Sequence, residues 1–264
     1  MFAIEVPMNR IDKLFSEKKN ILSIYFTAGF PKLNDTIPIL NSLEKAGVDL
    51  VEIGIPFSDP LADGPVIQES SRIALENGMN LKLLFSQLGN SEFRTQNSEL
   101  PILLMGYFNT VMQFGIGNFC REANKVGIDG VILPDLPMDV YLNEYKSIFE
   151  KYNLKNIFLI TPQTSDERIR LIDENSDGFI YMVSSASTTG IKSGIDEGKE
   201  RYFERIKNMK LKNPLVIGFG ISDKKSFDKA CEYANGAIIG SAFIRCLENE
   251  NPSMEKFVNE IKSA

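Results

Sequence analysis

Glu52 and Asp63 are the two carboxylates whose surroundings suggest proton chemistry. Glu52 sits inside the apolar run Asp49-Leu-Val-Glu-Ile-Gly54. A lone carboxylate in a buried strand loses hydration, which raises its pKa toward values useful for proton transfer. The competing structural reading is a glutamate paired with a lysine or arginine of a neighbouring strand, and the predicted strands supply almost no such partner. Asp59 and Asp63 lie in Gly54-Ile-Pro-Phe-Ser-Asp-Pro-Leu-Ala-Asp-Gly-Pro65, with three prolines and two glycines. Proline fixes φ and glycine opens turns closed to other residues, so this loop has a built shape. Either aspartate could instead cap a helix starting near Pro65.

The chain contains no histidine. That excludes Ser-His-Asp and Cys-His nucleophiles and every histidine-ligated metal site. Proton transfer is left to carboxylates, tyrosine, lysine or thiol. The three cysteines, Cys120, Cys231 and Cys246, are far apart and make no metal or CxxC spacing. They fit a reducing cytoplasm.

An anionic substrate end has its own candidate cradle. Gly218-Phe-Gly220 and Gly240-Ser241 each follow a predicted strand. Glycines let backbone N–H groups approach an anion, and a helix N-terminus adds partial positive charge. The plainer alternative is a pair of tight turns. Tyr181 could line a pocket or pack in the core, and the small polar segment 184–196 could be a mobile lid or surface loop.

These residues need a frame. Apolar, β-branched runs predict strands at 21–26, 50–53, 102–105, 130–133, 157–160, 179–182, 215–217 and 237–239. Helical periodicity marks 35–45, 138–151, 166–174 and 224–233 between them. Two further helices, 66–76 and 81–88, and a polar loop, 90–99, fill the long gap after the second strand. Others precede the first strand (9–18) and follow the last (254–261). Eight strand–helix units without a compositional break predict one α/β domain over 1–264, a (β/α)8 TIM barrel with those extra helices; an open doubly wound sheet is the rival. Barrel chemistry belongs at the strand C-terminal ends, where Glu52, Asp63 and the glycine turns all fall.

Of 264 residues, 35 are acidic and 29 basic, a net charge of -6. That balance offers no footprint for nucleic acid or anionic membrane. The N-terminus shows no secretory signal, and no apolar run is long enough to span a bilayer.

The string Pro56-Phe-Ser-Asp-Pro-Leu-Ala-Asp-Gly-Pro65, preceded by Glu52, resembles the signature of the tryptophan synthase alpha chain family. Phe26-Thr-Ala-Gly-Phe-Pro31, Met105-Gly-Tyr-Phe-Asn109, Leu133-Pro-Asp-Leu-Pro137, Gly218-Phe-Gly-Ile-Ser222 and Gly240-Ser-Ala242 follow in family order. The resemblance implies a lyase performing retro-aldol cleavage of indole-3-glycerol phosphate to indole and D-glyceraldehyde 3-phosphate. By position it implies Glu52 as general acid–base and Asp63 as partner of the indole nitrogen. Tyr25 and Tyr181 would line the indole pocket, Gly190, Gly220, Gly240 and Ser241 would hold the phosphate, and Thr189 would reach Asp63 from the lid. It further implies no cofactor or metal in this chain, and a pyridoxal-phosphate beta subunit as partner in an α2β2 assembly, met near Asp59-Pro60 and Asn109. The lid departs from the family's usual Gly-Val-Thr-Gly, reading Ser187-Thr-Thr-Gly190. Two other functions remain open: another phosphate-binding barrel isomerase or epimerase, and a non-catalytic regulatory barrel.

Overall fold

The structure, a computed structural model, describes residues 8–90, 98–184, 197–249 and 253–263. Eight parallel strands form a closed barrel in chain order. They are β1 (Ile21–Thr27), β2 (Leu50–Gly54), β3 (Ile102–Met105) and β4 (Gly130–Ile132), then β5 (Lys155–Ile160), β6 (Ile180–Val183), β7 (Leu215–Gly218) and β8 (Gly236–Ile239). Closure comes from β1, which pairs with both β2 and β8.

The apolar runs become parallel strands because both of their faces are covered, one by the packed lumen and one by helices. All seven residues of β1 and all five of β2 are buried. The helix Thr36–Lys45 shows the outer layer's logic: Thr36, Ile39, Leu40 and Leu43 recur at three- and four-residue spacing and are buried. The expected extra helices are present as Arg10–Glu17, Pro65–Glu76, Leu81–Asn90 and Met254–Lys262.

One detail differs from the periodicity reading. The single helix expected over 138–151 is broken by a π-helical turn at Tyr141–Tyr145 between Met138–Val140 and Lys146–Lys151. Between β3 and β4 the chain makes two helices, Phe108–Phe114 and Ile116–Lys125, because Gly115 has φ +86° and cannot continue the first. The polar loop expected over 90–99 lies mostly outside the described residues; Asn90 itself closes a helix.

The strand N-terminal face carries structural aspartates. Asp129 accepts from Arg10 Nε at 2.8 Å and Nη2 at 2.6 Å, and from the Ile102 amide at 2.8 Å. Asp49 accepts from the Leu22 amide at 3.1 Å and pairs with Lys18 and Lys262. The first and last helices are thus tied to the barrel floor. Arg10→Ala leaves Asp129, whose side chain is only 7% exposed, without its counter-ion. The expected result is a loss of about 2 kcal/mol of stability in urea unfolding, with kcat unchanged because the pair lies on the face opposite the strand C-terminal ends.

Candidate active site

Strand alternation gives Ser23, Tyr25 and Thr27 one face of β1, and Leu50, Glu52 and Gly54 one face of β2. These faces meet in the lumen. Ser23 Oγ donates to Glu52 Oε1 at 2.8 Å, and Tyr25 stands beside Glu52 in the strand register. Glu52 is fully buried, and its Oε2 has no hydrogen-bond partner among the described residues. Burial pushes its carboxyl up to about 8, against the smaller opposing effect of the Ser23 hydrogen bond. The ion-paired alternative is thereby set aside: burial and a serine, with no cation, determine its proton affinity among the described residues.

Asp63 belongs to the loop between β2 and the helix Pro65–Glu76. The loop closes on itself, with the Asp63 amide donating to Pro60 O at 3.0 Å and Gln68 Nε2 donating to Asp63 O at 2.9 Å. Gly64 is the N-cap and Pro65 the first helical residue, with no side-chain cap bond. Asp63 therefore does not cap that helix. Its Oδ2 accepts from the Tyr107 hydroxyl at 3.1 Å, and that phenol oxygen accepts in turn from the Ala62 amide at 2.9 Å. Burial raises the Asp63 carboxyl to about 6, with the Tyr107 hydrogen bond pulling the other way. Asp59, the other candidate in the loop, is exposed.

Sequence reasoning missed Tyr107. It lies just before the helix Phe108–Phe114, whose first amide donates to Asp135 Oδ1 at 2.8 Å. Its ring stacks on Phe57 at 4.8 Å between centroids and 21° between planes. A pocket at this mouth is walled by Tyr25, Ile55, Phe57, Met105, Tyr107 and Pro134, with Asp63 also lining it. Its walls are mostly aromatic and aliphatic, with one carboxylate among them. Tyr107→Phe removes a donor that favours the charged Asp63. An activity that needs ionised Asp63 should then show its acid limb shifted upward from about pH 6, with kcat/KM near that pH reduced roughly tenfold.

Tyr25 of β1 and Tyr181 of β6 are both buried. Burial raises both phenols, and the charges of Glu52 and Asp63 raise them further, so neither ionises near neutral pH. Glycine makes room for each: a Cβ on Gly54 would overlap the Tyr25 hydroxyl, and one on Gly218 would overlap that of Tyr181. Tyr181 also meets Phe219 edge-on, 6.3 Å between centroids.

At the expected anion cradle, Phe219 and Gly220 are consecutive left-handed residues, φ +70° and +78°. Such a conformation is uncommon for phenylalanine and turns the chain sharply after β7. Lys199 Nζ lies 3.4 Å from where a Gly220 Cβ would stand, and Ser184 Oγ 3.8 Å from it. Gly240 is the N-cap of the helix Ser241–Leu247, whose first N–H groups have no partner within the helix. These groups follow β7 and β8, and β8 pairs with β1, which in turn pairs with the Glu52 strand β2. Thr189 and Gly190 lie outside the described residues, as does the lid apart from Ser184.

The family model described as "Tryptophan synthase alpha chain" matches residues 11–264. A tryptophan synthase alpha chain of Flavobacterium johnsoniae is 59% identical over 256 residues, covering 97% of this chain and all of that one. The solved tryptophan synthase subunit alpha of Legionella pneumophila superposes with a TM-score of 0.85 at 33% identity, over 97% of each chain. A chain from the Pyrococcus furiosus tryptophan synthase complex gives 0.82 at 34% identity, over 92% of this chain and 98% of that one.

Proposed function

The chain belongs to the tryptophan synthase alpha chain family, and from that membership we propose that its barrel mouth performs the family's lyase reaction through Glu52 and Asp63. It is an enzyme of tryptophan biosynthesis that cleaves indole-3-glycerol phosphate, giving indole and D-glyceraldehyde 3-phosphate. The observation that carries the assignment of roles is a fully buried Glu52 with, among the described residues, no paired cation and one unpartnered oxygen.

Below about pH 8 Glu52 holds a proton. It gives that proton to indole C3, and positive charge develops on the ring nitrogen. Asp63, ionised above about pH 6, stabilises that charge. The Glu52 carboxylate so formed is buried and strongly basic. It takes the proton of the hydroxyl on the carbon attached to C3. The carbon–carbon bond breaks, its electrons restore the indole, and the oxygen becomes the aldehyde of glyceraldehyde 3-phosphate. Glu52 ends protonated as it began. Both transfers need only carboxyl groups, which suits a histidine-free chain.

Tyr25 and Tyr181 flank the indole, while Gly220, Gly240 and Ser241 hold the phosphate through main-chain N–H groups. The Lys199 ammonium near Gly220 supports placing an anion there. For Thr189 as the lid residue reaching Asp63 and Gly190 as part of the cradle, the support is the sequence resemblance. Residues 1–264 form one barrel domain working in the cytoplasm; among the described residues no helix is long and apolar enough to cross a membrane. Its partner is a beta subunit carrying pyridoxal phosphate, in an α2β2 assembly, a reading supported by the likeness to a chain of a tryptophan synthase complex.

The test is indole release from indole-3-glycerol phosphate by the isolated chain, and again with a tryptophan synthase beta subunit added. Indole above background is expected in both, and more with the partner. A folded chain that releases none in either condition overturns the assignment.

A further inference from the structure

The fold treats the two carboxyl oxygens of Glu52 differently. Oε1 accepts the 2.8 Å hydrogen bond from Ser23, while Oε2 is buried and unpartnered among the described residues. Ser23 is itself fully buried, in a strand whose neighbours Ile21, Leu22 and Ile24 are apolar and equally buried. A hydroxyl in such a place is costly unless bonded, and its bond goes to the carboxylate.

We propose that Ser23 is the positioning residue of Glu52: it holds Oε1 as an acceptor and so makes Oε2 the oxygen that releases and recovers the proton. This rests on the reading of Glu52 as the proton carrier. A neutral carboxyl has one O–H and one acceptor oxygen. Donation from Ser23 favours the rotamer with the hydrogen on Oε2, facing away from the serine. A proton fixed on one oxygen stands at one place relative to the bound ring, and transfer depends on hydrogen-bond reach.

The same contact tunes proton affinity, because a donor to a carboxylate favours its charged form. Among the described residues, the titratable groups that feel the Glu52 charge are the Tyr25 phenol of β1 and the Tyr181 phenol of β6, both neutral; β3 contributes apolar Leu103 beside it. Asp63, on the loop above, acts on the same two phenols. Among the described residues, Ser23 is the one group that lowers the Glu52 pKa against burial.

Two readouts on Ser23→Ala test this. The first is infrared difference titration of the Glu52 carboxyl in the ligand-free protein, its band assigned by loss in Glu52→Gln. The second is the pH profile of kcat/KM. The Glu52 midpoint is expected to rise by about one pH unit, the typical size of one hydrogen bond to a charged group, and the alkaline limb of kcat/KM should follow it. Ser23→Thr, which keeps the hydroxyl, should restore both. A midpoint that rises while the alkaline limb stays put would uphold Ser23's hold on Glu52 and overturn Glu52 as the proton carrier. An unshifted midpoint and carboxyl band in Ser23→Ala overturn the proposal.

Discussion

Glu52→Gln should reduce indole formation by about 10²-fold or more while making the folded chain more stable at alkaline pH. The rate loss is the ordinary scale for removing an acid–base group. Stability moves the other way because of the site's electrostatics. The folded chain keeps a proton on Glu52 up to about pH 8, whereas the unfolded chain releases it near 4.5. Between those values the folded state binds more protons, so stability falls as pH rises, at about 1.4 kcal/mol per pH unit for this group. Glutamine removes that fall. Its amide is bonded by Ser23 alone and leaves buried donors unsatisfied, which costs about 1–3 kcal/mol. The net expectation is a variant more stable than the parent by roughly 2 kcal/mol above pH 8, with the advantage reversed near pH 5. Urea unfolding at those two pH values checks it. A variant that loses stability equally at both would show that the carboxylate is not strained by burial.

Asp63→Asn should lower kcat by about 10²-fold with little change in KM, since the charge it stabilises appears only as C3 is protonated. The parent's kcat/KM should be bell-shaped, rising as Asp63 ionises near pH 6 and falling as Glu52 loses its proton near pH 8. In Asp63→Asn the acid limb should vanish and the alkaline limb remain. Initial rates of indole release across pH decide this, and an unchanged kcat/KM would make the loop's role structural.

Much of this was legible in the chain. Parallel strands buried on both faces must be written as apolar β-branched runs, so eight of them could be placed to within a residue or two. Glu52 announced itself as a charge in such a run; the loop rigid with proline offered Asp59 and Asp63 alike, and the family resemblance favoured Asp63. What escaped was non-local. Tyr107 comes from the loop after β3, and nothing near it in sequence says that its hydroxyl ends on Asp63. Ser23 carried a faint signal, one polar residue in Ile-Leu-Ser-Ile-Tyr-Phe, but its partner lies 29 positions away across a strand register. The π-turn at Tyr141–Tyr145 left the helical period almost unchanged, so periodicity could not reveal it.

The glycines beneath the two buried tyrosines impose an order on the molecule's history. Gly54 and Gly218 cannot acquire side chains while Tyr25 and Tyr181 occupy the space a Cβ would need. A side chain at either glycine therefore requires its tyrosine to shrink or swing away first, and the phenol can return only once the glycine has been restored. Each pair is sterically coupled: this part of the lumen wall can change by paired steps taken in one sequence, and scarcely by single ones.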